Sequence, residues 1–219
     1  MKHYPMGMRL VLIVLAALLA LALPIAPSAS PVGAKNRARI VTRTFRNAAP
    51  IEVPIAETSP VSASFYPSPI VVNGLKGTVR DVNVRLNDFS HDDPDEVRVL
   101  LVGPGGQTAI VLAEIGAEEE INDVTLRLDD EAAAPLSDAT LRSGIFRPTN
   151  DLGSAIAFNV PAPPVTSANA ALAVFDGTNP NGTWRLFVQD RNGPNDSGAF
   201  AGGWVLEITA KVKSKKKKR

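Results

Sequence analysis

The residues best placed to do chemistry in this 219-residue chain are oxygen donors crowded into two short loops. One loop is Asp92-Asp93-Pro94-Asp95-Glu96, and the other runs from Asp190 through Arg191, Asn192, Gly193, Pro194, Asn195, Asp196 and Ser197 to Gly198. Carboxylate and amide oxygens at this density suit calcium, which takes about six to eight oxygen ligands from side chains, carbonyls and water. The candidate ligands are Asp93, Asp95, Glu96, Asp190, Asn192 and Asp196, and calcium is the one cofactor they suggest. The second loop departs from the EF-hand, because its sixth position is Asn195 where that motif needs glycine. A hairpin closed by Asx turns, with no metal at all, is the competing reading.

Other chemistries fare worse. The chain has two histidines, His3 and His91, so a Ser-His-Asp triad in the body would have to use His91. His91 lies between a strand end and the first acidic loop, where a hydrogen bond to nearby backbone suits it better than a role as general base. No nucleophile elbow, zinc-binding His-Glu-x-x-His, phosphate loop or dinucleotide fingerprint is present. The acidic triplets Glu118-Glu119-Glu120 and Asp129-Asp130-Glu131 could supply paired carboxyls for glycoside hydrolysis, but nothing in the sequence marks a cleft, and solvated turns are simpler. There is no cysteine, which removes thiol catalysis, zinc–thiolate sites and disulfides together.

Strands must position these loops. Val82, Val84 and Leu86 alternate with polar neighbours, as do Val97, Val99 and Leu101, then Val124, Leu126 and Leu128. Trp184, Leu186 and Val188 repeat the pattern, followed by Trp204, Leu206 and Ile208. Gly103-Pro104-Gly105-Gly106 turns the second run back into Ala109–Leu112, a hairpin signature. Helical periodicity is scarce, and the proline-rich stretch 147–167 reads as extended loop. The expected fold is all-β, an antiparallel β-sandwich of the jelly-roll, galactose-binding-domain-like kind. Trp184 and Trp204 fall on inward phases and are expected in the core, with an exposed sugar-stacking platform as the alternative. Gly106, Gly182 and Gly198 are expected at turns with positive φ.

The chain ends have their own character. Lys2 and Arg9 precede an apolar run, Leu10–Leu23, shorter than the roughly 20 residues a membrane span needs. Residues 1–34 therefore read as a signal peptide, cleaved after Ala34 or, alternatively, Ala29. The expected location is secreted or associated with the cell surface, with no transmembrane segment once the signal is removed. All 22 acidic residues lie between Glu52 and Glu207 beside only nine Lys and Arg, which makes the body strongly negative although the whole chain is +1. Residues 35–43 form a basic arm and 211–219 a lysine-rich tail, both expected to be disordered because like charges repel. Such ends suit an anionic cell-surface polymer or phospholipid. Nucleic acid is not expected as a partner of an exported chain.

The segment Asp81-Val82-Asn83-Val84, His91, and Glu96-Val97-Arg98-Val99-Leu100-Leu101-Val102-Gly103-Pro104-Gly105-Gly106 resembles the P domain (P/Homo B domain) of subtilisin-like proprotein convertases. Gly144-Ile145-Phe146-Arg147-Pro148 is similar to that family's middle element. Gly182-Thr183-Trp184, Leu186, Val188 and Asp190, then Asp196-Ser197-Gly198 and Gly203-Trp204, resemble its closing motif. The likeness runs from about Thr44 to Ala210, and residues 44–210 are taken as the domain. Glu96-Val97 stands where the family usually has Asp-Leu, and Gly103-Pro104-Gly105-Gly106-Gln107 replaces Ser-Pro-x-Gly-Thr, which weakens Glu96 as a carried-over ligand. In that family the P domain follows a catalytic domain, supplies no triad, and supports the folding, stability and substrate handling of the protease. The resemblance thus implies a noncatalytic interaction or stabilising module whose partner is another exported protein, such as a protease. The alternatives are an accessory part of a serine-type endopeptidase system and a calcium-dependent carbohydrate- or cell-surface-binding module.

Overall fold

The structure is a computed structural model describing residues 38–213. The signal-peptide reading of 1–34, residues 35–37 of the basic arm and residues 214–219 of the tail lie outside that range.

Alternating side chains build the first sheet around one long spine, β5 (Thr78–His91). One flank of this spine is a single interrupted strand, β12 (Gly198–Phe200) followed by β13 (Trp204–Val212), antiparallel to β5. Outside it lies a second interrupted strand, β1 (Arg39–Asn47) followed by β2 (Ile51–Val53). The two interruptions coincide at Gly203, whose φ is +64° and where a Cβ would lie 2.2 Å from the Asn47 carbonyl oxygen. Only glycine fits there. The other flank of β5 carries β8 (Ile121–Leu128) and then β9 (Gly144–Phe146).

The second sheet runs β10 (Thr149–Asn150), β7 (Thr108–Ala113), β6 (Val97–Val102) and β11 (Gly182–Asp190), with β3 (Val61–Ser62) and β4 (Ser68–Val72) both on the far side of β11. All five expected alternating segments are strands, as is the hairpin return Ala109–Leu112. The sandwich is all-β as expected, but the pairing is mixed, because β8–β9 and β10–β7 are parallel. Both parallel partners are strands of two or three residues that return from long loops, a connection alternation cannot reveal.

The core fills the gap between the sheets with the inward phases of β5, β6, β8, β11 and β13. Trp184 and Trp204 are fully buried there. Each indole N–H has a partner: Trp184 donates to the Pro180 carbonyl at 2.9 Å and Trp204 to Ser68 Oγ at 3.1 Å. The sugar-stacking alternative is therefore overturned for both tryptophans.

The near-continuous apolar sequences of β6 and β7 have a separate cause. Ile156, Phe158, Ala162 and Val165 of the proline-rich stretch lie across the outer face of the second sheet, over Leu100, Val102, Ile110 and Phe187. Those strands are buried on both faces, which removes the usual polar alternation. The buried Gln189 pins this strap, accepting from the Asn159 amide and donating to the Ala157 carbonyl, both at 3.0 Å.

One expectation about the ends needs correction. Residues 39–43 of the basic arm are ordered strand, since β1 pairs with β13 from Arg39↔Val212 to Asn47↔Trp204. The tail's first two residues, Lys211 and Val212, belong to β13. Backbone pairing against an apolar edge outweighs repulsion among arginines spaced two or more residues apart.

Candidate functional site

Strand register gathers the two acidic loops at one end of the sandwich. β5 ends at His91, a short 3-10 turn (Pro94–Glu96) follows, and β6 begins at Val97, which pairs with Asp190 at the end of β11. The loop after β11 returns as β12, where Gly198 pairs with His91. Residues almost a hundred positions apart thus meet at this acid pole.

His91 and Asp190 form its buried floor. Their side chains are 0% exposed, with Nε2 of the histidine 3.2 Å from Oδ2 of the aspartate. The approach is too bent to satisfy either atom as a hydrogen bond. Nδ1 accepts the Asp93 backbone N–H at 3.1 Å, which places the histidine proton on Nε2, facing Asp190. The expected backbone hydrogen bond is present, but His91 is a buried strand residue rather than a loop residue. Gly198 is needed because a Cβ there would lie 2.3 Å from both His91 Cδ2 and the Ser90 carbonyl oxygen. Its role is therefore close approach and not the positive φ expected of it, whereas Gly106 and Gly182 do have positive φ, at +85° and +130°.

Above this floor stand Asp93, Asp95 and Glu96, each offering an oxygen within 4.8 Å of the others. Asn192 closes an Asx turn, donating its backbone N–H to Asp190 Oδ1 at 2.7 Å, and its side-chain amide donates to Glu96 Oε1 at 3.0 Å. Asp92 ties the loops together by accepting the Ser197 backbone N–H at 2.9 Å. Arg191 spans the cluster, 2.9 Å from Asp95 Oδ1 and 3.2 Å from Glu114 Oε2. Burial pushes the Glu96 carboxyl up to about 7, opposed by the Asn192 hydrogen bond and reinforced by Asp190 and Asp93. Burial also raises Asp93, helped by Asp95 and Asp196.

A hard cation fits this donor set. Asp93 Oδ1, Glu96 Oε2 and Asp190 Oδ2 are buried oxygens without a hydrogen-bond partner, and Arg191 alone does not balance the carboxylates around it. Groups left in that state demand either protons or a positive ion. Of the six candidate ligands, Asp93, Asp95 and Glu96 are brought together. Asp190 faces His91, Asn192 presents donors, and Asp196 lies near enough to raise Asp93. The site also holds His91 and Arg191, which border or belong to the two loops, and Glu114, which no local spacing could have marked.

The other acidic run has a structural use. Asp130 accepts the backbone N–H groups of Leu172 and Ala173 at 3.0 and 2.7 Å, fixing the 3-10 turn Leu172–Phe175. It is a tie between loops, not a freely solvated turn.

No protein-family profile matches the chain, and no curated protein matches it. Among solved structures, a serine protease of Aeromonas sobria in complex with its chaperone is 14% identical, with a TM-score of 0.38 over 80% of this chain and 28% of the matched chain. The structure of the Aeromonas sobria serine protease by itself is 14% identical, with a TM-score of 0.36 over 78% of this chain and 27% of that one. The chain therefore spans little more than a quarter of the proteins it matches. Likeness at this level leaves function to be argued from the residues.

Proposed function

We propose that this chain is an exported, noncatalytic β-sandwich that binds calcium at its acid pole and assists an exported serine protease. One observation carries the reading: the first and last of the three elements that resemble the P domain deliver His91, Glu96 and Asp190 to a single buried cluster. His91, Glu96 and Asp190 thus belong both to the resemblance and to the pole. His91 cannot approach a peptide substrate, because its side chain is fully buried, Nδ1 accepts an amide and Nε2 faces Asp190. Calcium would bind through Asp93, Asp95 and Glu96, supplying the positive charge that the unpartnered oxygens of Asp93 and Glu96 lack, and would brace the β5–β6 turn. A protease gains from such a module a rigid neighbour.

Three measurements test this. With a dissociation constant near 10⁻⁴ M, as extracellular modules show, about 10 mM calcium should add about 2.7 kcal/mol to unfolding stability relative to chelator. Identical melts in calcium and chelator would remove the metal from the reading. A serine-directed fluorophosphonate probe should leave the purified chain unlabelled, and labelling would overturn the noncatalytic role. Co-expression should raise the yield of active exported subtilisin-class protease, and an unchanged yield would refute the accessory role.

A further inference from the structure

At the end of the sandwich opposite the acid pole, the edge strand β1 carries two exposed arginines on its core-side face. Val41 and Phe45 pack against the core, so Arg39 and Arg43, two residues away on the same strand, share their face. Arg39 pairs with Val212 and Arg43 with Ile208. Between this edge and the loop joining β4 to β5 lies a groove of about 310 Å³, with Arg39, Arg43 and Lys76 around it and Val41, Leu75 and Val212 as its apolar floor. No carboxylate lines it. Among the described residues these three cations have no ion-pair partner, a state they share with Arg46, Arg80, Arg85, Arg142, Arg147 and Arg185, but they alone gather around one groove free of carboxylates.

The loop that brings Lys76 is held in place. Asn181 accepts the Leu75 backbone N–H at 2.9 Å and donates to the Leu75 carbonyl at 2.7 Å. Gly77, with φ at +102°, packs on the Lys211 backbone, where a Cβ would lie 2.4 Å from the carbonyl oxygen. Because Arg39 and Val212 are register partners, the chain enters and leaves the fold side by side here. Lys213 follows directly on Val212 here, and in sequence the basic residues Lys35, Arg37 and those of 215–219 adjoin this pair of strand ends. β5 begins here, where Thr78 pairs with Lys211, and its 14 residues end at His91 in the acid pole, about 40 Å away.

We infer that this groove docks the protein on an anionic phospholipid surface, taking a headgroup phosphate between Arg39, Arg43 and Lys76. Guanidinium forks pair with phosphate oxygens in bidentate fashion, and an ammonium adds a point charge. The apolar floor suits the glycerol base of a lipid better than a free ion. The flanking basic segments add attraction without geometry, and the separation of charge leaves the acid pole pointing away from the surface. The inference is independent of the protease reading. Charges on an edge strand also discourage sheet-to-sheet association, which makes a purely protective role the rival.

Co-sedimentation of the signal-free chain with vesicles of phosphatidylglycerol and phosphatidylcholine, against phosphatidylcholine alone, decides between them. The wild type should bind only the anionic vesicles. Arg39→Gln, Arg43→Gln and Lys76→Gln together should weaken that binding at least about tenfold while the tail is intact and the melting temperature is retained. Were the triple variant to unfold, Lys76→Gln alone should still lower affinity about threefold. Variants that bind like wild type, or a wild type indifferent to phosphatidylglycerol, would overturn the proposal. Competition by low-millimolar inorganic phosphate would also overturn it, by assigning the groove to a free anion.

Discussion

Glu96 gives the acid pole a pH dependence whose sign can be worked out. Its carboxyl sits at about 7 in the folded chain against 4.5 as its ordinary value, because burial penalises the charged form. The protonated form therefore favours folding. That contribution is complete below about pH 4.5 and is lost as pH rises through about 7, a change of about 3 kcal/mol if no cation replaces the proton. Urea unfolding in chelator should show wild type losing most of this amount between about pH 5 and 8, and Glu96→Gln should flatten the profile. A slope of equal size in the variant would place its origin elsewhere. The sequence made Glu96 visible as one oxygen among many in an acidic loop. It could not show that Asn192, listed with it as a ligand, would turn a donor toward it, nor that Asp190 would face His91. Both facts follow from pairing between β6 and β11 and between β5 and β12, which joins residues too distant for local spacing to register.

The strands themselves were legible wherever one face is buried and the other wet, as in β5, β8 and β13. The strap over the second sheet was not, because Pro161, Pro163 and Pro164 break any regular element that the spacing of Phe158, Ala162 and Val165 would suggest. β1 was misread because its charges were weighed and its register with β13 could not be. Two tests belong at this scale. Trp204→Ala removes a fully buried indole from between the sheets and should cost about 3–5 kcal/mol by equilibrium unfolding. A loss below about 1 kcal/mol would put that side chain outside the core. Asn181→Ala should cost about 1–3 kcal/mol, since it strips both backbone partners from the buried Leu75. The same contacts bear on the glycosylation sequon Asn181-Gly182-Thr183: the amide is already committed to Leu75, while in a second sequon, Asn195-Asp196-Ser197, Asn195 is exposed. Mass spectrometry of material from a glycosylating host should find Asn181 unmodified.

At the scale of the molecule, the outermost ladder closes the chain on itself, joining Arg39 to Val212. Folding must bring these ends together before that ladder contributes anything. Sandwiches dominated by such distant pairings fold in about milliseconds to seconds. Stopped-flow refolding should show a main phase in that range, and a dominant submillisecond phase would contradict the topology. The absence of cysteine means that this step needs no oxidant. Arg39 and Val212 also sit only about 5 Å apart across their pair, the spacing of neighbouring strands. The fold is thus ready for transplantation: spliced into a surface loop of a host protein, residues 38–213 would part the host backbone by no more than the width of a hairpin. Joining the present ends with a short linker and opening the chain at an exposed loop should likewise yield a circular permutant with the same two sheets.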